Sequence, residues 1–479
     1  MDLDRWARFM WYARFVRTIR IIGTKLESKH RELVYALVEH NGDASVFPSL
    51  QELQWAPSSR HDSSHFPLFT PQLYTAAFTI PGPTKEDPCR LDQDSESHTF
   101  LARLQETSPR LRFLSVDASW QRLGEHHILA VCSFSALINL RLVSTISTSS
   151  FSELAAMPHL KCLEVGHVDV WCDGQASPPS PCPARIFAPR LLFLTIFGES
   201  NLLATLFTAL RAPVLRAATV TAIYNDSNPP RTGTGLGYVR CLKALASFPL
   251  EETKISLLEP ISPTRMHLAA LLNPLLRLPG VTYLALSCPK LRLVADDDDF
   301  AAIARAWPRL RTFRLTRAHW DAFHAPGSGD DVPTPEALRV FCDLCPDLRD
   351  LVLPYLDLDA RVPQLGSTMQ AGSPHGLKHL VFGAKAEATN NDEQEARARE
   401  LAEGRGPGLL ERDKVEEWAR YILDLFPKLN TGRSLADCVF VPAASGWIEV
   451  LRRVQALRSS RMSMSSEETS DGVIAKLSG

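Results

Sequence analysis

Cys342-Asp-Leu-Cys345 is the residue pair whose spacing comes nearest to recognisable chemistry in this 479-residue chain. Two cysteines separated by two residues suit disulfide exchange or one half of a zinc site. Exchange needs the pair at a strand-to-helix junction, and here a helix is expected to run into a strand. Zinc needs two further ligands close by, and no second pair of this kind exists in the sequence. Buried, reduced thiols are the expectation. Gly233-Thr-Gly235-Leu-Gly237 resembles a phosphate loop in composition but lacks the Lys-Ser/Thr and the leading strand that make one, so it reads as a flexible insertion. The run Asp296 to Asp299 precedes a helical stretch, Phe300–Ala306, where carboxylates satisfy unpaired N–H groups. A calcium loop would need alternating ligands, a glycine turn and a distant glutamate. His126-His127 and the cluster His319 to Phe323 lack the i, i+4 geometry of a metal-binding helix. No Ser/His/Asp ordering or nucleophile elbow emerges. The expectation is a protein that is not an enzyme and uses no metal or cofactor.

The elements that would carry these residues are set by a repeat. Thirteen times an apolar residue is followed by two of any kind, an apolar residue, one of any kind, and an apolar residue; a proline usually stands two places upstream. The copies start at Val16, Leu50, Leu73, Leu111, Leu137, Leu160, Leu191, Leu215, Leu250, Val281, Leu310, Leu348 and Leu377, about 30 residues apart. The second and third apolar positions are two apart, so on a strand they share a face. Helical stretches lie between copies, for example Asn201–Leu210 and Phe300–Ala306. The recurrent proline reads as a helix stop. This predicts an α/β, leucine-rich-repeat-like solenoid, with a curved parallel sheet on the concave face and helices on the convex face. The copies are degenerate: the Asn or Cys that usually follows the strand is replaced by Pro289 and Leu356 in two good copies, and Ala76, Ala218 and Thr253 stand at inward positions.

Composition agrees with one elongated body. The net charge of −2 gives no global electrostatic case for nucleic acid or an anionic membrane. No apolar run reaches the ~18 residues of a bilayer span. The N-terminus lacks the basic start and apolar core of a signal peptide, and ten cysteines in a chain this long read as reduced thiols. The expected setting is cytoplasmic or nuclear, the expected state a monomer. The organisation reads as a capping helix and first strand over 1–22, the repeat array over 23–383, a charged insertion over 384–412, closing helices over 413–458, and a disordered tail over 459–479. Loops rich in Pro, Gly, Ser and Asp, such as Pro81–His98 and Cys172–Ala184, are expected at the surface.

The block Trp6-Ala-Arg8-Phe9-Met-Trp-Tyr12-Ala13-Arg-Phe-Val16-Arg17-Thr-Ile19 resembles the segment that follows the F-box in fungal F-box proteins with degenerate leucine-rich repeats. The Pro-x-Leu-x-x-Leu-x-Val strands match the same group, so the resemblance covers roughly residues 6–430. It implies a substrate receptor of a cullin–RING ubiquitin ligase, whose F-box would hold the adaptor subunit while the repeats present the target. The F-box itself would lie upstream of Trp6, so adaptor binding is expected only if such a segment precedes this one. No residue is carried over as adaptor-binding. The alternative is a repeat interaction protein unconnected to ubiquitin ligases, and in either case the bound target is a protein.

Outward positions on the strands alternate with the inward ones and offer the binding surface. Aromatic and arginine residues there are the types that dominate interfaces. The candidate partner-binding residues are Phe113, Arg141, Phe193, Phe197, Tyr283 and Arg314. By the same alternation Val352, Val381 and His379 are expected to face outward.

Overall fold

The structure, a computed structural model, describes residues 3–22, 36–37, 40–41, 45–56, 68–79, 93–169, 185–223, 236–258, 266–289, 291, 293–316, 333–354, 356–363, 375–382, 410–438 and 446–461. These fall into two compact units: Met1–Thr221 with Ser247–Pro249, and Ala222–Ala246 with Leu250–Gly479.

Unit 1 holds the ladder strands β1 (Thr18–Ile22), β2 (Glu52–Ala56), β3 (Thr75–Thr79), β4 (Phe113–Arg122), β5 (Asn139–Ser147), β6 (Cys162–Asp169), β7 (Phe193–Glu199) and most of β8 (Ala217–Ile223). Unit 2 holds β9 (Glu252–Leu258), β10 (Tyr283–Ser287), β11 (Thr312–Thr316), β12 (Asp350–Leu353) and β13 (His379–Phe382). Within each unit the strands follow chain order, and the paired neighbours run parallel. Each strand carries one copy of the sequence motif. Helices lie between several of the strands: α1 (Leu3–Ala13), α2 (Gln93–Thr107), α3 (Glu125–Cys132), α4 (Thr148–Ala155) and α5 (Ser200–Ala209) in unit 1. In unit 2 they are α6 (Leu236–Leu245), α7 (Leu268–Leu272), α8 (Asp297–Ala306), α9 (Pro335–Leu344), α10 (Arg412–Leu425), α11 (Thr431–Cys438) and α12 over 446–461. Parallel strands in chain order with intervening helices are the α/β, leucine-rich-repeat-like solenoid that the motif predicts. Among the described residues no helix is long and apolar enough to cross a membrane.

The inward rows are the core. Leu140, Leu142, Leu163, Val165, Leu194 and Ile196 are buried in unit 1, as are Leu284, Leu286, Phe313, Leu315, Leu351 and Leu353 in unit 2. Aromatic rings fill the space between sheet and helices: Phe78 and Phe100 lie 4.4 Å apart, and Phe313 and Phe341 lie 5.6 Å apart. The small inward residues Ala76, Ala218 and Thr253 are equally buried.

The prolines do more than end helices. The N–H of Leu111 donates to the Ser108 carbonyl (3.1 Å), that of Leu310 to Trp307 (3.0 Å) and that of Leu348 to Cys345 (3.0 Å). Pro109, Pro308 and Pro346 therefore occupy the second position of four-residue turns, where the ring pre-sets φ. The next residue's N–H then crosses to the preceding repeat, as Arg112 does to Tyr74 (2.9 Å) and Arg349 to Arg311 (2.8 Å). The first turn position supplies what the missing Asn would. Thr70 Oγ1 donates to the Leu50 carbonyl at 2.8 Å, Ser108 Oγ to Thr70 at 2.9 Å, and Cys345 Sγ to Trp307 at 3.5 Å. His375 Nε2 meets the Cys345 carbonyl at 2.9 Å. Buried backbone carbonyls are satisfied by whichever small polar or ring side chain precedes the turn.

Three expectations are corrected. Residues 413–458 are not only closing helices: Phe426-Pro427-Lys428-Leu429 forms one more repeat turn, with Leu429 N–H on Phe426 (3.0 Å) and Asn430 N–H on Lys378 (2.7 Å). Asn430-Thr-Gly432 then lacks the apolar residues of a strand, and the chain enters α11. Ser434 Oγ accepts the N–H of Leu380 at 3.1 Å, which blocks the open edge of β13. At the end of the chain, α12 is helical through Arg461, so 459–461 are not part of a disordered tail. The stretch Pro81–His98 is also not all loop, because α2 begins at Gln93. Residues 384–409, 462–479, Cys172–Ala184, Gly233–Gly235 and His319–Phe323 lie outside the described residues.

Candidate functional site

Four of the candidate residues, Phe113, Arg141, Phe193 and Phe197, share the outward face of unit 1. Strand register places Phe113, Asn139, Cys162 and Phe193 in one row across β4 to β7, and Ser115, Arg141, Glu164 and Thr195 in the adjacent outward row. Phe193 is 47% exposed, unusual for a ring in a sheet. Arg141 Nε donates to Glu164 Oε1 at 3.0 Å, with both side chains near half exposure. Phe113 and Phe197 are half-buried, and the Phe197 ring lies 5.0 Å from His167. Burial pushes the Cys162 thiol up, and burial, opposed by Asp169, pushes His167 down. The result is a strip of outward positions in which Phe113 and Phe193 flank Asn139 and Cys162, with a charged pair in the adjacent row.

Gly166 allows β5 and β6 to approach closely where their register slips. A Cβ there would lie 2.8 Å from the Ser144 backbone nitrogen, too close for any side chain. The ladder register slips between Leu142 and Thr145 on β5 and between Val165 and Val168 on β6. Beyond the slip the strands resume pairing, Thr145 with His167 and Ile146 with Val168. Strands β5 and β6 are 9 and 8 residues long, and β4, with a shift of its own between Asp117 and Arg122, has 10.

Tyr283 and Arg314 belong to unit 2, whose outward face ends differently. Tyr283 and Arg314 are half-buried, and Arg314 lies 3.8 Å from Asp350. Val352, Val381 and His379 share the outward rows but are only 5%, 1% and 2% exposed. Their expected exposure is overturned by the end of the array, where α11 packs on β13. Arg433 reaches Asp350 Oδ1 at 3.4 Å, while His379 sits 3.3 Å from Asp350 Oδ1 and 2.8 Å from Asp437 Oδ2. Burial, then the Arg433 charge, pushes His379 down against the pull of the two carboxylates. A neutral ring between two carboxylates, of which Asp350 also meets two guanidiniums, is an electrostatic closure of the face.

The cysteine pair is built into the repeat. Cys345 is the buried turn residue described above, and Cys342 Sγ faces the Leu425 carbonyl at 3.9 Å. Burial pushes their thiols up to about 12 and about 11, so both stay protonated and non-nucleophilic at neutral pH. The aspartate run caps helices, as its position predicts. Asp296 Oδ1 accepts the Asp299 N–H at 2.8 Å, and Asp299 also accepts the N–H of Ala269 at 3.1 Å. Asp297 receives the N–H and hydroxyl of Thr334 at 2.8 and 2.6 Å, which ties α8 to the start of α9. His267, Asp296 and Asp299 offer ligand atoms within 4.8 Å of one another, a grouping that chain spacing hides. Both carboxylates are already engaged with backbone N–H groups, so capping accounts for them. His127 is buried in α3 with its ring 4.1 Å from that of His126.

No protein-family model and no curated protein matches the chain. Among solved structures, it is similar to a chain of the crystal structure of the Rad7 and Elc1 complex in yeast, at 13% identity and a TM-score of 0.29, over 68% of this chain and 92% of that one. A likeness at that level carries no functional argument.

Proposed function

We propose that this protein is a non-catalytic scaffold that binds another protein through the outward face of β4 to β7. The observation that carries this is Phe193: a ring exposed on a sheet, in register with Phe113 and next to the Arg141–Glu164 pair. Solvent requires only polar cover on such a face, whereas exposed aromatic and arginine side chains supply the buried area and directional contacts of an interface. Its protonated cysteines and capping carboxylates favour a binding role over a catalytic one. The finer reading, target recognition for a cullin–RING ubiquitin ligase in the cytoplasm or nucleus, is supported by the resemblance of residues 6–19 and of the repeat strands.

The test is affinity capture from the source cells with the wild type and with the Arg141→Ala/Phe193→Ala variant, followed by calorimetry on the purified partner. The variant is expected to keep its melting curve and to lose the partner. Unchanged capture by the folded variant would move the site off this face. Adaptor and cullin subunits among the captured proteins would support the ligase reading, and their absence beside a recovered target would favour an independent interaction protein.

A further inference from the structure

The first helix and strand of unit 1 present a second surface, separate from the β4 to β7 strip. Trp11, Tyr12 and Phe15 are 50%, 53% and 59% exposed, the densest group of exposed rings among the described residues. They form a cluster of their own: the Trp11 ring lies 4.9 Å from Tyr12 and 5.1 Å from Phe15, in both cases edge to face. Arg14 covers two of them, with its guanidinium carbon 5.1 Å from the Trp11 centroid and 5.0 Å from that of Phe15. The helix does not need these rings for its own packing. Its inward side is supplied by Trp6, 4.9 Å from His40, and Phe9, 6.2 Å from Phe47, with Ala13 buried.

Charge singles out the same surface. Arg5, Arg8, Arg14, Arg17 and Arg20 are all exposed, and Asp4 is the one acid within the described residues 3–22. Every cation is arginine, the side chain whose planar fork matches a carboxylate in bidentate fashion and stacks on aromatic faces. The whole chain carries a net charge of −2, so this basic end is a local feature on a slightly acidic protein. With 52 basic and 54 acidic residues the chain as a whole offers a long polyanion no net attraction, whereas a short acidic segment needs only the patch. A membrane-lying helix would turn one continuous apolar face outward. Here the apolar residues divide between a packed side and a cluster capped by a guanidinium.

We propose that Trp11, Tyr12, Phe15 and the surrounding arginines form a docking surface for an acidic polypeptide segment of a partner protein that also carries apolar side chains. The partner's carboxylates meet the guanidiniums, and its apolar residues cover the ring cluster. Arg14 already rests over two of these rings, so less side-chain freedom is lost on binding.

The test uses the full chain and a fluorescein-labelled peptide that alternates glutamate with leucine and phenylalanine, read by fluorescence anisotropy. Saturable binding is expected, weakened as salt rises and at least about tenfold weaker in Arg8→Glu/Arg14→Glu. Trp11→Ala/Phe15→Ala should weaken it comparably. All four positions are exposed, and a circular-dichroism melt that superimposes on the wild type keeps each variant informative. The Arg141→Ala/Phe193→Ala variant should bind the peptide normally, which separates this surface from the β4 to β7 strip. The proposal is overturned by absent binding, by binding that the charge reversals leave unchanged, or by tighter binding of a single-stranded oligonucleotide or of phosphatidylserine vesicles than of the peptide.

Discussion

The outward faces of the two units are built from the same alternation and meet different ends. In unit 1, β4 to β7 run 7 to 10 residues and carry Phe113, Phe193 and Phe197 with an ion pair open to water. In unit 2, β10 to β13 run only 4 or 5 residues, and the face turns from polar at Tyr283 and Thr312 to fully buried at His379 and Val381. Two local events cause the divergence. Gly166 permits a register slip beyond which β5 and β6 resume pairing, and β4 has a slip of its own between Asp117 and Arg122. Asn430-Thr-Gly432 breaks the repeat and sends α11 across the end of unit 2. The motif thus determines which side chains point away from the core, while the segments around it decide whether those side chains meet solvent.

The largest expected effect is common to both units and tests their shared core. Leu194→Ala and Leu286→Ala should each cost roughly 2–5 kcal/mol in urea unfolding. A loss under about 1 kcal/mol at either position would deny that unit a packed inward row.

The closure of unit 2 is tested next. Asp350→Ala removes the carboxylate shared by His379, Arg433 and Arg314, and should cost about 1.5–3 kcal/mol. Two buried histidines of unit 2, His379 in this cluster and His375 outside it against Phe426, set a pH dependence. Burial holds His379 and His375 below the ordinary histidine value, so the unfolded chain takes up protons first as pH falls. Their contribution is complete above about pH 6.5 and is lost as pH falls through the folded values. Stability measured by urea titration should therefore fall on acidification below that point, and less steeply in His379→Gln. Equal slopes in variant and wild type would deny His379 any part in the acid response.

In unit 1, Gly166→Ala should cost roughly 1–3 kcal/mol, because its Cβ meets backbone and not a movable side chain. Tolerance of alanine there would deny the close approach of β5 and β6 at Gly166.

Much of this was legible in the chain. Period-two alternation in Leu191-Leu-Phe-Leu-Thr-Ile196 fixes both the buried Leu194 and Ile196 and the exposed Phe193. The aspartates before Phe300 announce a helix start, and capping is local. The cover over His379 was not legible, since its partner Asp437 is 58 residues away along the chain. Phe426-Pro-Lys-Leu429 has the form of a repeat turn, yet the missing strand after it hides the repeat from a search for L-x-x-L-x-L. The satisfying role of Thr70, Ser108 and Cys345 was hidden too, because it depends on the turn geometry and not on a fixed residue type. The candidate set of six also crossed both units, as a row-by-row reading of outward positions cannot see where a unit ends.

The claim that the ring-bearing face of unit 1 is the binding strip is tested most directly by photo-crosslinking. A benzophenone side chain is placed at Phe193 in unit 1 and, separately, at exposed Lys254 in the corresponding face of unit 2, and both proteins are illuminated in the source cells. An open strip on unit 1 predicts a discrete product with a second protein from position 193, lost when Arg141→Ala is added, and little or none from position 254. Equal products from both positions, or none from 193 in a folded protein, would contradict it.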